Sequence, residues 1–120
     1  MPEIQLGLVE SRFADMIWSM EPVTTTELVK KAEAAFAWKR TTTHTVIKRL
    51  CDKGLFENRK GTVVSLISRE QFYSMQSKQY VEDTFAGSLP AFIAAFTKNR
   101  RLSAAEISEI RRIIDGTEEK

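Results

Sequence analysis

Hydrophobic residues in this chain recur at helical spacing in several separate segments, divided by proline, glycine and capping residues. The first segment predicts a helix from about Leu8 to Met20. Glu21-Pro22 should end it, because proline cannot continue a helix and restricts the residue before it. A second, short helix is predicted after Thr24, because the side chains of Thr24 and Glu27 fit a capping box.

The third predicted helix, from about Arg40 to Lys53, has two chemically different faces. Its apolar arc contains Thr43, Val46, Ile47, Leu50 and Cys51. Its polar, basic arc contains Thr41, Thr42, Thr45, Lys48 and Arg49. Gly54 is placed to end the helix in the left-handed conformation. One face is therefore expected to enter a core, and the other to meet a polyanion.

A pair of short β-strands is predicted directly after this helix. Leu55 to Arg59 forms the first strand, Lys60-Gly61 the turn, and the β-branched segment Thr62 to Ile67 the return strand. Two strands alone are marginally stable, so they should pack against the helices. Three helices followed by such a pair predict a mainly α fold with a small β-wing, the winged helix-turn-helix.

Three more helices are predicted in the rest of the chain. The first begins at a capping box of Ser68 and Gln71 and runs to about residue 85. The second begins after Ser88, and the third follows a capping box of Ser103 and Glu106. About 50 residues in three short helices bury little surface, and oligomerisation is a common remedy at that size.

The apolar stripes of these three helices therefore predict a subunit interface, and the alternative is that they pack back on the first module. The predicted organisation is a winged helix-turn-helix DNA-binding domain over residues 1–68, a helical dimerisation domain over 69–116 and a charged tail over 117–120. The predicted dimer interface consists of Phe85, Leu89, Phe92, Ile93, Phe96, Leu102, Ile107, Ile110, Ile113 and Ile114.

Charge is unevenly distributed along the chain. The whole chain carries a net charge of only +2, but residues 1–35 have a net charge of −3. Residues 36–69 contain eight lysines and arginines against two acids, a net charge of +6. A charge run alone is more often a solvated face. Here it coincides with the polar arc of the third helix and with the strand pair, which favours nucleic-acid binding.

Composition argues against several other classes of protein. One cysteine excludes an intramolecular disulfide, and one histidine leaves no predicted metal site or cofactor. Cys51 is interpreted as a small buried hydrophobe, and His44 as a solvated or phosphate-adjacent side chain. Without a glycine-rich phosphate loop or a nucleophile beside the histidine, no enzyme is predicted. The N-terminus MPEIQLGLVES does not resemble a secretory signal, and no apolar run would insert into a membrane, so a cytoplasmic protein is expected.

Several strings, in their order and spacing, resemble the penicillinase repressor family, the BlaI, MecI and CopY type of bacterial winged-helix transcriptional repressors. They are LVESRFADMIW, VTTTELVKK, WKRTTTHTVIKRLCDKGLF, FAGSLPAFIAAF and LSAAEISEIRRII, and they cover nearly the whole chain. The resemblance implies a homodimer that binds inverted-repeat, double-stranded operator DNA and is joined by its C-terminal helices. It also implies a recognition helix over residues 41–53, with DNA-facing positions at Thr41, Thr42, Thr45 and Arg49.

Side-chain chemistry supports the same set of DNA-facing residues. Threonine hydroxyls can bond phosphates or base edges, and arginine can make a bidentate contact to guanine. Lys48 is better placed for phosphates, as are Arg59 and Lys60 at the wing tip. The full prediction for DNA binding is Arg40, Thr41, Thr42, Thr45, Lys48, Arg49, Arg59 and Lys60.

The chain departs from the family pattern at three places. Lys39 stands where relatives usually have a serine cap, and the return strand VVSLIS lacks the aromatic residues common in relatives. Members that control antibiotic resistance are cut by a membrane-bound zinc sensor peptidase at an Asn-Phe bond in the fifth helix. The matching bond here is Ala95-Phe96. Copper-responsive members have a cysteine-rich C-terminus, whereas this chain ends DGTEEK, so copper sensing is not expected.

The sequence therefore predicts a sequence-specific transcriptional repressor that is released from its operator by proteolysis or by another signal. A membrane sensor peptidase is the partner that proteolysis would require. The alternative is a winged-helix interaction module whose basic face docks an acidic protein.

Overall fold

The computed structural model describes residues 6–118, which form six helices and a small antiparallel sheet. The elements are α1 Leu8–Met20, β1 Val23–Thr24, α2 Thr25–Phe36, α3 Arg40–Asp52, β2 Phe56–Arg59, β3 Thr62–Ser65, α4 Arg69–Phe85, α5 Leu89–Thr97 and α6 Ala104–Asp115. The predicted fold class, mainly α with a small β-wing, is confirmed. The first five residues of the N-terminal segment and the last two of the predicted tail lie outside the described residues.

Two compact units divide the chain inside α4. The first unit spans Met1–Gln79 and the second Tyr80–Lys120. The first part of α4 thus belongs to the winged-helix unit, whereas the sequence prediction ended that domain at residue 68. The assignment of DNA binding to one region and dimerisation to the other stays a prediction.

Local capping chemistry determines where several helices begin. At the start of α2, the Glu27 amide donates to Thr24 Oγ1 at 3.1 Å, and the Thr24 amide donates to Glu27 Oε1 at 3.3 Å. Each residue satisfies a backbone amide that the helix leaves free. The same reciprocal pairing is present in the other two predicted boxes, Ser68 with Gln71 and Ser103 with Glu106. At α3, the helix begins at Arg40 after Lys39, which provides no side-chain cap.

The predicted strand pair is present, since β2 and β3 pair antiparallel, but the sheet also contains a third strand that was not predicted, in the order β1-β3-β2. The added strand, β1, pairs Val23 with Val63 and Thr24 with Thr62. A two-residue strand shows no alternation of its own, and its partner lies about 40 residues further along the chain. The two predicted strands are also shorter than expected: β2 begins after Leu55, and β3 ends at Ser65.

The core of the first unit brings together one face of each surrounding element. Its fully buried aromatic side chains are Phe13 from α1, Phe56 from β2 and Phe72 from α4. Trp18 lies against two of them, with ring centroids 5.1 Å from Phe56 and 5.6 Å from Phe72. The remaining buried hydrophobic residues are Ala14, Ile17, Val23, Leu28, Ala32, Val46, Ile47, Leu50, Leu55 and Val63. This core extends from α1 through the sheet into α4.

The second unit contains no buried residue among residues 80–118. Its aromatic rings still contact one another: the ring centroid of Phe92 lies 5.5 Å from that of Phe85 and 5.9 Å from that of Tyr80. Large apolar side chains remain exposed on α5 and α6, for example Leu89 at 52% and Ile113 at 59%. The unit therefore has aromatic contacts but no closed core of its own. Across the described residues, none of the helices is long and apolar enough to cross a membrane.

Candidate nucleic-acid interface

Helix α3 is buried on one side and open on the other. The buried side comprises Thr43, Val46, Ile47 and Leu50. The exposed side contains every predicted DNA-facing residue of the helix, Arg40, Thr41, Thr42, Thr45, Lys48 and Arg49. Cys51, expected to be buried, is only half-buried, and desolvation raises the pKa of its thiol. His44 is exposed, as expected.

The threonines of this helix differ in what they offer a ligand. Thr45 Oγ1 donates to the Thr41 carbonyl at 2.9 Å, so its hydroxyl proton is already in use. What remains at Thr45 is an acceptor oxygen and a methyl group, which suit a base amino group or a thymine methyl. Thr43 Oγ1 donates to the Lys39 carbonyl at 3.3 Å from the buried side, and this bond satisfies its polar atom inside the core.

Two candidate phosphate-binding cations have nearby acidic partners at the surface. Lys48 Nζ lies 3.1 Å from Asp52 Oδ2, one turn along α3, and Arg59 Nε lies 3.0 Å from Glu57 Oε2 on β2. All four side chains are well exposed, and such surface pairs are worth about 0–1 kcal/mol. Each cation can therefore leave its acidic partner for a DNA phosphate at a small cost in free energy. Among residues 6–118, no ion pair engages Lys60.

Arg49 is paired with an acid from another helix, a contact that sequence reasoning missed. Its Nη1 lies 3.9 Å from Glu10 Oε2, and Lys53 Nζ lies 3.3 Å from the same oxygen. The Glu10 side chain is only 19% exposed. Glu10 and Arg49 are about 40 positions apart in the sequence, so no local spacing pattern indicates this contact.

The wing tip has the backbone conformation that a tight hairpin requires. Lys60 and Gly61 both have positive φ, 52° and 94°, the signs found at the two central residues of a type I′ turn. Asn58 Oδ1 accepts from the Gly61 amide at 2.8 Å and closes the turn. Lys60 is thereby held at the tip with its side chain exposed.

Two long-range contacts fix the return strand and the turn of the wing to the helices, although this strand lacks aromatic residues. The Glu21 carboxylate accepts from the Ser65 amide at 2.9 Å and from its hydroxyl at 2.7 Å. The Thr25 amide, at the start of α2, donates to the Gly61 carbonyl at 2.9 Å. Val63 is also fully buried. Together these contacts hold β3 and the turn against α1 and α2.

A polar cluster joins the start of α4 to α1 within the first unit. Arg69 Nη2 donates to the Asp15 carbonyl at 2.9 Å and to Ser19 Oγ at 2.8 Å. The Tyr73 hydroxyl donates to Asp15 Oδ1 at 2.8 Å. That hydrogen bond, more than partial burial, raises the pKa of Tyr73 above its usual range. These contacts anchor the start of α4 to α1 within the first unit.

The predicted interface residues of the second unit are exposed or half-buried. Phe85, Phe92, Leu102 and Ile110 are half-buried, and Leu89, Ile93, Phe96, Ile107, Ile113 and Ile114 are exposed.

Both residues of the Ala95-Phe96 bond are exposed within α5. The Arg100 guanidinium lies 5.2 Å from the Phe96 ring centroid, and Arg100 Nη2 lies 3.2 Å from Glu106 Oε2. The hydrogen bond from the Ser103 amide lowers the pKa of Glu106, and the hydrogen bond from Arg100 lowers it further.

No cluster of three or more histidine, cysteine, aspartate or glutamate side chains in residues 6–118 could hold a metal ion. The chemistry of the first unit is instead that of hydroxyls and cations on an exposed helix face, beside a basic wing tip. Such a surface can donate to phosphate oxygens and present donors, acceptors and methyl groups to base edges.

Known proteins and a family model resemble this chain over almost its whole length. A family model described as penicillinase repressor matches residues 6–116. The penicillinase repressor of Bacillus licheniformis is 24% identical over 115 residues, covering 92% of this chain and 90% of that protein. The methicillin resistance regulatory protein MecI of Staphylococcus aureus is 23% identical, covering 92% and 94%. MecI of Mammaliicoccus sciuri is 22% identical with the same coverage. The chain belongs to the penicillinase repressor family.

Proposed function

We propose that this protein is a transcriptional repressor that binds an inverted-repeat operator as a homodimer. The observation that carries the proposal is the exposed polar face of α3, whose opposite face is anchored in the core. Family membership supports the same role, since the matched relatives are a repressor and a resistance regulator by name. In this proposal, α3 enters the major groove and the wing contacts the flanking backbone.

The residues divide into two roles on such a surface. Thr42, Thr45 and Arg49 follow one another at spacings of three and four along α3, so they form one stripe that can face base edges. Arg40, Lys48 and the wing tip with Arg59 and Lys60 contact phosphates, with Thr41 at the junction of the two sets. Phosphate contacts set register and affinity, whereas base contacts set sequence preference.

The proposed dimer is formed by the second unit. Its exposed apolar side chains include Phe96, Ile107, Ile113 and Ile114, and none of its residues from 80 to 118 is buried. Soluble proteins seldom leave such a concentration of apolar surface uncovered, and a second copy presents the matching surface under two-fold symmetry. Two winged helices on one dimer would then bind two half-sites.

Release from DNA is the remaining part of the proposal. Cleavage at Ala95-Phe96 by a membrane sensor peptidase would separate α6 from the rest of the chain and remove part of the proposed interface. Because the bond lies within α5, a peptidase would first have to unwind a turn of that helix. The mass of the chain recovered from induced cells distinguishes a cut at this bond from release by another signal.

Selection of bound sequences from random duplex DNA, followed by footprinting, tests the DNA-binding proposal. The expected result is a two-fold symmetric motif whose half-sites lie roughly 34 Å apart or a multiple of it, one turn of B-DNA. Affinity should also fall steeply with salt. No enriched motif and no footprint, together with binding to acidic proteins, would favour the interaction module instead.

A further inference from the structure

Glu10 is the one acid from outside the proposed DNA-contacting elements that reaches a cation of the α3 stripe in residues 6–118. It lies in the first turn of α1, where its Oε1 accepts from the Gly7 amide at 3.4 Å. Its Oε2 faces Arg49 Nη1 at 3.9 Å and Lys53 Nζ at 3.3 Å. One carboxylate thus lies between two cations at the C-terminal end of α3.

This contact differs from the other ion pairs of the surface in its exposure. The Glu10 side chain is 19% exposed, whereas Asp52 is 66% exposed and Glu57 46%. Solvent and salt screen an exposed pair strongly and a partly buried pair much less. The charge of Glu10 should therefore act on its neighbours at salt concentrations at which the other two pairs contribute little.

The Arg49 guanidinium has five N–H donors in a planar fork. With Nη1 facing Glu10, its other donors remain available to a ligand, and half of the side chain is exposed. The carboxylate offsets the positive charge that would otherwise attract phosphates, but it does not block a directed hydrogen bond. A phosphate is attracted mainly by net charge, while a guanine edge is recognised by paired donors in a fixed orientation.

We propose that Glu10 is a specificity-determining residue of the DNA-binding surface. It orients Arg49 towards base edges and weakens sequence-independent phosphate binding by Arg49 and Lys53. The inference rests on the proposed function, because it concerns how the same surface separates operator from random DNA. It assigns to α1, an element outside the recognition helix and the wing, a part in that discrimination.

Glu10→Gln tests the inference, since glutamine keeps the acceptor that faces Gly7 and removes the charge. Affinity of the full chain is measured across a salt series on a random-sequence duplex and on the selected operator. Random-duplex affinity is expected to rise about 3- to 10-fold, with a salt slope steeper by roughly 0.9 for each added phosphate contact. Operator affinity should change by less than about 3-fold, so the operator-to-random ratio falls.

Matched controls separate this effect from a general change in net charge. Asp52→Asn and Glu57→Gln each remove one acid from the same surface and should raise random-duplex affinity by less than about 2-fold, because their pairs are exposed. Glu10→Asp keeps the charge and should retain most of the wild-type discrimination. In the double variant Glu10→Gln with Arg49→Ala, most of the gain on random DNA should disappear. Thermal unfolding shows which variants are folded.

Two results would overturn the inference while leaving the proposed function intact. The first is a wild-type chain that prefers its operator while Glu10→Gln binds random DNA with unchanged affinity and salt slope. The second is an equal gain from all three acid-to-amide variants. A wild-type chain that binds no duplex at all would instead contradict the proposed function, and the inference with it.

Discussion

The two compact units contain helices of similar length, but only the first unit buries their apolar faces. In residues 6–79, side chains from α1, α2, α3, the sheet and α4 meet in one core, and Phe13, Phe56 and Phe72 are almost inaccessible to solvent. In residues 80–118, apolar side chains are as prominent along the sequence, yet none is buried. A folded helix with an exposed apolar stripe is incomplete as a domain. The first unit is therefore stabilised by its own packing, and the second is the unit that the proposed dimer would stabilise.

The largest expected effect is the loss of a core ring from the first unit. Phe56→Ala should lower the free energy of unfolding by about 3–5 kcal/mol, because it removes a fully buried aromatic side chain and leaves a cavity. Denaturant unfolding followed by tryptophan fluorescence measures the change, since Trp18 lies against this ring. The loss should be the same at every chain concentration. Val9→Ala, at a half-exposed site on α1, is the control and should cost far less.

The next effect tests the second unit by placing charges in its apolar stripe. Ile113→Asp combined with Ile114→Asp should weaken self-association at least about 100-fold, equivalent to roughly 2.7 kcal/mol, since two carboxylates would be desolvated in the interface. Sedimentation over a range of concentrations measures it. Leu8→Asp, at a 70% exposed site in the first unit, is the matched control. An unchanged dimer in the double variant would show that these isoleucines do not form the interface.

A smaller effect separates base reading from phosphate binding within the first unit. Arg49→Ala should reduce discrimination between operator and altered sites by about 1–3 kcal/mol, because a bidentate base contact is lost. Lys60→Ala should weaken binding to all sequences alike and flatten the salt slope by about one unit. Binding isotherms on operator and random duplexes, repeated over several salt concentrations, give both quantities. Equal losses on specific and random DNA for both variants would refute this division.

The smallest effect concerns the hydrogen bond from Tyr73 to Asp15, which joins α4 to α1. Because this bond raises the pKa of Tyr73, its stabilising contribution is present below the unfolded tyrosine pKa of about 10 and is lost as pH rises through the higher folded value. Tyr73→Phe should cost about 0.5 kcal/mol at neutral pH, the low end for a net hydrogen bond at an exposed site. Its stability deficit relative to wild type should shrink at high pH. Tyr80→Phe provides the control, and a deficit independent of pH would contradict this account.

Local features of the chain were predicted well from sequence because their causes lie within a few residues. The capping boxes at Thr24, Ser68 and Ser103 depend on a partner three positions away, and the boundaries of α1 and α4 follow from such signals and from apolar periodicity. The two faces of α3 follow from helical spacing, and the structure exposes the predicted polar face.

Contacts between distant segments could not be predicted in the same way. β1 has only two residues, and its pairing depends on the position of β3 in the folded unit. The pairing of Glu10 with Arg49, and the cluster of Asp15 with Arg69, require knowing how α1 packs against α3 and α4. Single-sequence patterns contain no information on these approaches. The sequence therefore indicated candidate DNA-contacting residues on α3 and the wing, but not the pairing of Arg49 with Glu10.

The most direct test of this account measures binding of the wild-type chain to two duplexes, one with the selected palindrome and one with a single half-site. If the first unit reads DNA and the second joins two copies, two chains should bind the palindrome together, at least about 100-fold more tightly than one half-site is bound. Multivalent binding of this kind commonly exceeds single-site affinity by such a factor. The Ile113→Asp, Ile114→Asp variant should lose this advantage but keep single half-site affinity. Equal affinity of the wild type for both duplexes, with one chain on each, would contradict the account.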